Sequence, residues 1–353
     1  MGKTKKQFKT LYIIGNGFDI YHELDTWYST FGLFLRDNHS DIYEYFLKYF
    51  GFPELDENDQ ESLRDLLWSD FETNLSTLDI DEVLEEHAEY SANTASPGFS
   101  DKDWDDIAVY VGDIRDDLTI KMLDLFKEWI LNVKYPNSKD IDIIEIEKGA
   151  IFFNFNYSKS LEHYYKIDQN QILYIHNRAE SNDKLILGHG INPENFERIE
   201  ERPPEGLTEE QLAQWEDAQS DAFDFSLERG RDELIQYFFT SFKATAKLIE
   251  KNIAFFNSLS LIDKVYVLGH SLSDVDKEYF EEIVKNVSKK AIWIISFNNP
   301  TGKKSRRNRM KEFGINSNQI ILIQMKDLRP DFLSKIKLGF KVICARIRTT
   351  LNI

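Results

Sequence analysis

An apolar run closed by a glycine turn, Thr10-Leu-Tyr-Ile-Ile14 followed by Gly15-Asn-Gly-Phe-Asp19, constrains the fold of this chain more than any other segment. Strands buried on both faces read as continuous hydrophobic runs, and nucleotide-binding α/β sheets begin with such a strand, a Gly-x-Gly turn and a helix. Gly15 and Gly17 can take positive φ and let a ligand approach the backbone, while the following helix would aim its free N–H groups at a phosphate. Asp19 stands at that helix start. The third glycine of the dinucleotide fingerprint is missing, with Glu23 and Leu24 in its region, so the turn alone also fits a plain strand-to-helix connection.

Later segments repeat the pattern of a short apolar run followed at once by polar residues, which belong at the carboxyl ends of strands where open α/β sheets bind ligands. Ala150–Phe153 leads into Asn154-Phe-Asn156-Tyr-Ser158, Gln171–Ile175 into His176-Asn177, and Leu185–Leu187 into Gly188-His189-Gly190. Lys264–Leu268 leads into Gly269-His270-Ser271-Leu-Ser-Asp274-Val-Asp276, and Ala291–Ile295 into Ser296-Phe-Asn298-Asn299-Pro300. With a further strand near Gln319 and helices between, this predicts an α/β fold with a Rossmann-like parallel sheet flanked by helices.

Leu-Tyr-Ile-Ile-Gly15-Asn16-Gly17-Phe18-Asp19 with His22, Thr26, Tyr28 and Phe31, the segment Leu67-Trp-Ser-Asp-Phe-Glu72-Thr-Asn-Leu75, the Asn-Phe-Asn-Tyr segment, the Ile-His step and Gly-His-Ser-Leu-x-x-x-Asp276 together resemble the AbiH family of bacteriophage abortive-infection proteins. The resemblance spans nearly the whole chain. That pattern is in turn similar to the sirtuin-like NAD-binding fold, which implies Asn156 and His176 as the catalytic pair. It also implies a nucleotide site drawn from Gly15, Asn16, Gly17, Phe18, Asp19, His22, Asn154, Gly188, Gly269, His270, Ser271, Asp274 and Asn298, with NAD as substrate or ligand. Two positions depart from it: Asn177 stands where a Gly usually follows the His, and Ser158 where an Asp often closes the Asn segment.

Cleavage of a nicotinamide glycosidic bond passes through an oxocarbenium-like state, so it asks for a carboxamide to orient ribose and a base to activate a hydroxyl or water. Asn156 and His176 suit those roles. Each has a plainer reading, the Asn as a turn former and the His as a hydrogen-bonded structural residue. Asp19 would orient His22 or a ribose hydroxyl. Asp274 and Asp276 are expected to cap a helix from Val275 to Val287, since Ser273 or Asp274 fits its N-cap. No metal is expected, because His-x-x-x-His and Glu-x-x-His spacings are missing; Ser271, His270 and Asp274 lack a nucleophile elbow.

A hydrophobic share of 42% in 353 residues allows one or two cores. Met1-Gly-Lys-Thr-Lys-Lys6 lacks a signal-peptide core, no apolar run is long enough to span a bilayer, and the single cysteine, Cys344, fits a reducing cytoplasm. The net charge of −18 argues against nucleic acid as a partner over the whole surface. Within it, Lys303–Lys311 is densely basic and can meet a phosphate, a nucleic-acid strand or only solvent. The tail Lys335–Arg348 alternates basic and apolar residues and can pack on its own domain, on another subunit or on a membrane surface.

The expected organisation is a core of residues 1–37 and 145–335, a helical insertion or lid after the first strand at 38–144, a polar insertion at 191–231 with a helix start at Thr208, a helix over Asp232–Phe256, and a basic amphipathic tail at 336–353. The resemblance implies an antiphage protein that cleaves NAD when triggered, restrained by its insertion or by homo-oligomer formation, with a phage-derived trigger or a co-encoded defence protein. The alternatives are a nonenzymatic nucleotide sensor and a nucleic-acid-targeting effector.

Overall fold

Six apolar runs form one parallel sheet: β1 (Thr10–Ile14), β2 (Ile151–Asn154), β3 (Ile172–Tyr174), β4 (Lys264–Leu268), β5 (Ile292–Ser296) and β6 (Ile320–Ile323). Their order is β3-β2-β1-β4-β5-β6, so the chain has an α/β, Rossmann-like fold with its topological switch between β1 and β4. The computed structural model describes residues 8–93, 95–197, 202–222 and 224–351. The Met1–Lys6 segment judged above for a leader lies outside them, as do parts of 191–231 and 336–353.

Both faces of the sheet are buried, as its apolar strands require. Leu11, Ile13, Val265, Val267, Trp293 and Ile295 pack into the core of one face, and Tyr12, Ile14, Tyr266, Leu268 and Ile294 into the other, the two-residue alternation of a strand. Helices α1 (Asn16–Tyr21), α2 (Lys277–Asn286), α3 (Pro300–Glu312) and α4 (Phe332–Leu351) follow β1, β4, β5 and β6.

The glycines serve contact between two turns. Ile14 pairs with Leu268, so the chains leaving β1 and β4 emerge side by side. Gly15 N–H donates to Leu268 O at 3.0 Å and Gly17 N–H to Gly269 O at 2.8 Å, while Phe18 N–H closes back on Gly15 O. Gly269 has φ +69°, and a Cβ there would lie 2.0 Å from Phe18 N; one on Gly17 would lie 2.8 Å from Gly269 O. The close approach expected for a ligand is thus taken by the protein's own backbone, and the Gly15, Gly17 and Phe18 amides expected to face a phosphate are engaged internally.

Three expectations are corrected. Leu185–Leu187 is not a strand: Asn177, at φ +63°, turns the chain after β3, its Nδ2 holds Lys184 O at 2.7 Å, and Ile186 returns with one bond to His176 O. The helix placed at Asp232–Phe256 is instead Phe225–Thr240, capped by Asp224, then Thr245–Lys251 and Ile253–Asn257. At Ser241 the hydroxyl back-bonds to Tyr237 O, a local competitor of helical hydrogen bonding. The helix placed at Val275–Val287 begins at Lys277, after a single 3-10 turn over Asp274–Asp276, and neither Ser273 nor Asp276 caps through its side chain.

The chain divides into two units. One comprises Met1–Phe31, Phe126–Leu187 and Lys243–Ile353 and carries the sheet; the other comprises Gly32–Leu125 and Gly188–Phe242. The second unit is helical. Its core holds Phe46, Phe52, Trp68 and Phe71 in mutual ring contact, and Asp106–Asp116 packs along Phe225–Thr240. Thr208 and Gln211 exchange bonds as a capping box at the start of Glu209–Ala222.

The turn junction makes a prediction for stability. Gly269→Ala should cost roughly 3 kcal/mol or more, because backbone atoms must move, whereas Gly51→Ala, at φ +68° with nothing within 4 Å of the new Cβ, should cost only about 1 kcal/mol. Urea unfolding measures both, and equal losses would contradict the junction.

Candidate functional site

The carboxyl ends of β1 and β2 build the first half of the site. Asp19, 1% exposed, accepts hydrogen bonds from Ser160 Oγ at 2.6 Å and from Ser158 Oγ. Burial pushes its carboxyl up to about 6, against the downward pull of the Ser158, Ser160 and Asn156 dipoles. Ser158 therefore does not leave the segment without a carboxylate; it donates to one supplied by α1. Asn154 Oδ1 accepts the Asn156 N–H at 3.0 Å in an Asx turn, and the Asn154 and Asn156 Nδ2 groups are buried without hydrogen bonds.

The ends of β3 and β4 supply the second half. His270 Nδ1 accepts the Leu272 N–H at 2.8 Å, so the neutral ring carries its proton on Nε2, which faces Asp276 Oδ2 at 3.3 Å. Asp276 Oδ1 stands 3.5 Å from Nζ of Lys243, whose side chain is fully buried, and 3.9 Å from His176 Nε2. Burial would raise the Asp276 carboxyl, but Lys243 and the two imidazoles outweigh it and hold it below the usual carboxylate range. Burial, then the Lys243 charge, push His176 well below an ordinary imidazole, which leaves it neutral. Neither ring nitrogen makes a hydrogen bond of full geometry, though the Phe155 backbone lies close enough to favour the protonated ring weakly against the burial. Phe155 binds the two halves together, with its ring 5.4 Å from His176 and 4.3 Å from His270.

The loop that presents His270 is strained and tied down. Leu272 has φ +65°, a costly conformation for a branched side chain. Arg306 Nη1 donates to Ser271 O at 3.3 Å and Arg309 Nε to Leu272 O at 3.1 Å; Arg309 also pairs with Asp274 and Glu312. The basic run on α3 thus has a structural task in holding this turn. Asn177 keeps the left-handed backbone that a Gly would favour, and Asn tolerates it.

Other expected site residues lie elsewhere. His22 is a satisfied core residue: Nδ1–H donates to Phe18 O at 2.6 Å and Nε2 accepts from Tyr165 at 2.5 Å, so Asp19 does not orient it. Phe18 is core, and Asn16 closes the turn after α1 by exchanging bonds with Thr26. Ser271, Asp274 and Asn298 are exposed. Gly188 and His189 belong to the second unit, where His189 bonds to Phe238 O and to Ile191 N–H. Lys243, Ser158 and Ser160 were not foreseen as site residues, and Asp276 was foreseen only as a cap.

A family model described as bacteriophage abortive infection AbiH matches residues 11–297. The chain belongs to the AbiH family. The match takes in both halves of the site and ends beside Asn298. Comparisons with curated proteins and with solved structures find no match.

Two measurements test this arrangement. Asp276→Asn leaves Lys243 buried without its anion and should cost about 3–5 kcal/mol, with Lys243→Met in the same chain restoring at least half; independent losses that simply add would contradict the pairing. For Asp19, a carboxyl raised from 3.8 to about 6 stabilises the fold fully below pH 3.8 and loses that contribution as pH rises through 6, on the order of 3 kcal/mol. His176, depressed by burial, acts in the opposite direction near the same pH, so the difference between wild type and Asp19→Asn isolates the effect. Urea unfolding between pH 4 and 7 should show that difference shifting against the wild type; a flat difference would contradict a buried, protonatable Asp19.

Proposed function

We propose that this AbiH-family chain defends the cell by binding NAD or a related nucleotide at the carboxyl edge of its sheet and hydrolysing the nicotinamide glycosidic bond when infection triggers it. The observation that carries this reading is His176, a neutral imidazole buried after β3 without a protein hydrogen-bond partner on either ring nitrogen, its Nε2 3.9 Å from Asp276 in the segment that follows β4. A buried ring nitrogen with no partner costs roughly 1–3 kcal/mol, and a ligand that bonds to it would recover that cost, which supports a role for His176 toward substrate. A neutral imidazole is ready to accept a proton. In the proposed reaction water attacks the ribose carbon, the bond to the nicotinamide nitrogen breaks, nicotinamide leaves neutral, and His176 takes the proton of the water. The Asn156 carboxamide, beside the Asp19 carboxyl, would orient a ribose hydroxyl and stabilise the developing charge. Asp276 and Lys243 would fix His270 beside it.

His176 is 2% exposed, so substrate reaches it only after the site opens. That closure suits an effector held inactive until triggered. It equally suits a sensor that binds nucleotide without turning it over, the second reading. The nucleic-acid reading loses support because Arg306 and Arg309 are engaged with the Ser271 and Leu272 carbonyls.

Cells carrying wild type, His176→Ala or Asn156→Ala, challenged with phage and followed for NAD and nicotinamide, separate these readings. Wild type should lose NAD on infection, and both variants should keep it, with release reduced at least about a hundredfold. Protection and NAD unchanged in both variants would sink the proposal; protection lost with NAD constant in wild type would leave the sensor.

A further inference from the structure

The net charge of −18 conceals two opposite units. The sheet-bearing unit holds 33 lysines and arginines against 22 acidic residues, a balance of +11, and the helical unit 10 against 39, a balance of −29. The positive excess concentrates toward the end of the chain. Helix α4, Phe332–Leu351, carries Lys335, Lys337, Lys341, Arg346 and Arg348 and no acidic residue.

Apart from the ion pair between Arg346 and Asp263, the fold uses one side of α4 among its described residues. Ala345 is buried, and Leu338 and Val342 pack against the core of the neighbouring sheet face. Ile336, Phe340, Ile343 and Ile347 are each more than half exposed. At 3.6 residues per turn these four fall within an arc of roughly 60°, opposite the buried side. On the same wheel Lys337, Lys341 and Arg348 flank the stripe on one side and Arg346, 3.3 Å from Asp263, on the other. A soluble surface rarely gathers such a stripe without a partner.

We propose that α4 is a peripheral anchor that lies along an anionic lipid surface, with Ile336, Phe340, Ile343 and Ile347 among the acyl chains and the flanking cations at the headgroups. The charge pattern selects this occupant. A second copy of α4 would bring five cations against five, and a nucleic-acid strand has no use for four large apolar side chains, whereas an anionic bilayer offers both complements. No helix among the described residues is long and apolar enough to cross a membrane, so the contact is in the plane of the surface. Screening over about 8 Å at physiological ionic strength makes the charges on the helix itself, more than the total, decide it. The inference rests on the sheet-bearing unit alone and is independent of the glycosidic-bond reading.

Flotation of the full chain with phosphatidylcholine vesicles, with and without phosphatidylglycerol, tests it. Wild type should float with the anionic vesicles only, and less as salt is raised. Phe340→Glu with Ile343→Glu, and separately Lys337→Glu with Lys341→Glu and Arg348→Glu, should each reduce binding about tenfold or more while leaving the melting temperature unchanged, since all five side chains are exposed. Wild type that stays with the unbound fraction would overturn the proposal. So would a wild-type dimer that the Phe340 and Ile343 changes convert to monomer, which would make the stripe a subunit interface.

Discussion

Everything at the carboxyl edge of the sheet depends on two backbone turns meeting without side chains between them. β1 and β4 are neighbours only because the chain reverses direction across the sheet at this point, and their ends must then diverge to opposite sides. Gly17 and Gly269 let the turns touch through a backbone hydrogen bond of 2.8 Å before they separate. From that contact α1 carries Asp19 toward the serines after β2, and the Gly269–Leu272 turn carries His270 toward Asp276. A side chain at either glycine would displace both polar clusters together.

The second constraint is electrostatic. A lysine, a carboxylate and two imidazoles share a buried corner, and charge there is tolerable only when paired. Asp276 does the pairing: it faces Lys243, His270 and, at longer range, His176. The arrangement satisfies His270 fully and leaves His176 unbonded and neutral, while burial raises Asp19 toward the pH of the cell. A fold selected for stability alone would place apolar residues at such positions. That unequal treatment of two histidines in one cluster distinguishes a candidate base from a positioning residue.

Much of this was legible in the chain. Five of the apolar runs that end in polar residues became strands, and their order put Asn156, His176 and His270 at one edge. What the residues could not reveal was the use of the glycines, since a turn that admits a ligand and a turn that admits another turn have the same sequence. Lys243 gave no signal either, because it lies just past an amphipathic helix, where a lysine is ordinarily solvated. Asp276 resembled a cap because acidic residues crowd helix starts, and only the short 3-10 turn before α2 points its carboxylate inward. The total charge was a misleading average, since it sums a basic unit and an acidic one that lie in interleaved stretches of sequence.

Nitrogen NMR of the histidine rings observes directly whether His176 is a neutral imidazole at the proposed nucleotide site. His176 signals should stay neutral as pH falls through 6.5, where an ordinary imidazole gains its proton, and should shift when NAD or ADP-ribose is added. A ring that titrates near its ordinary value and ignores both compounds would contradict that assignment.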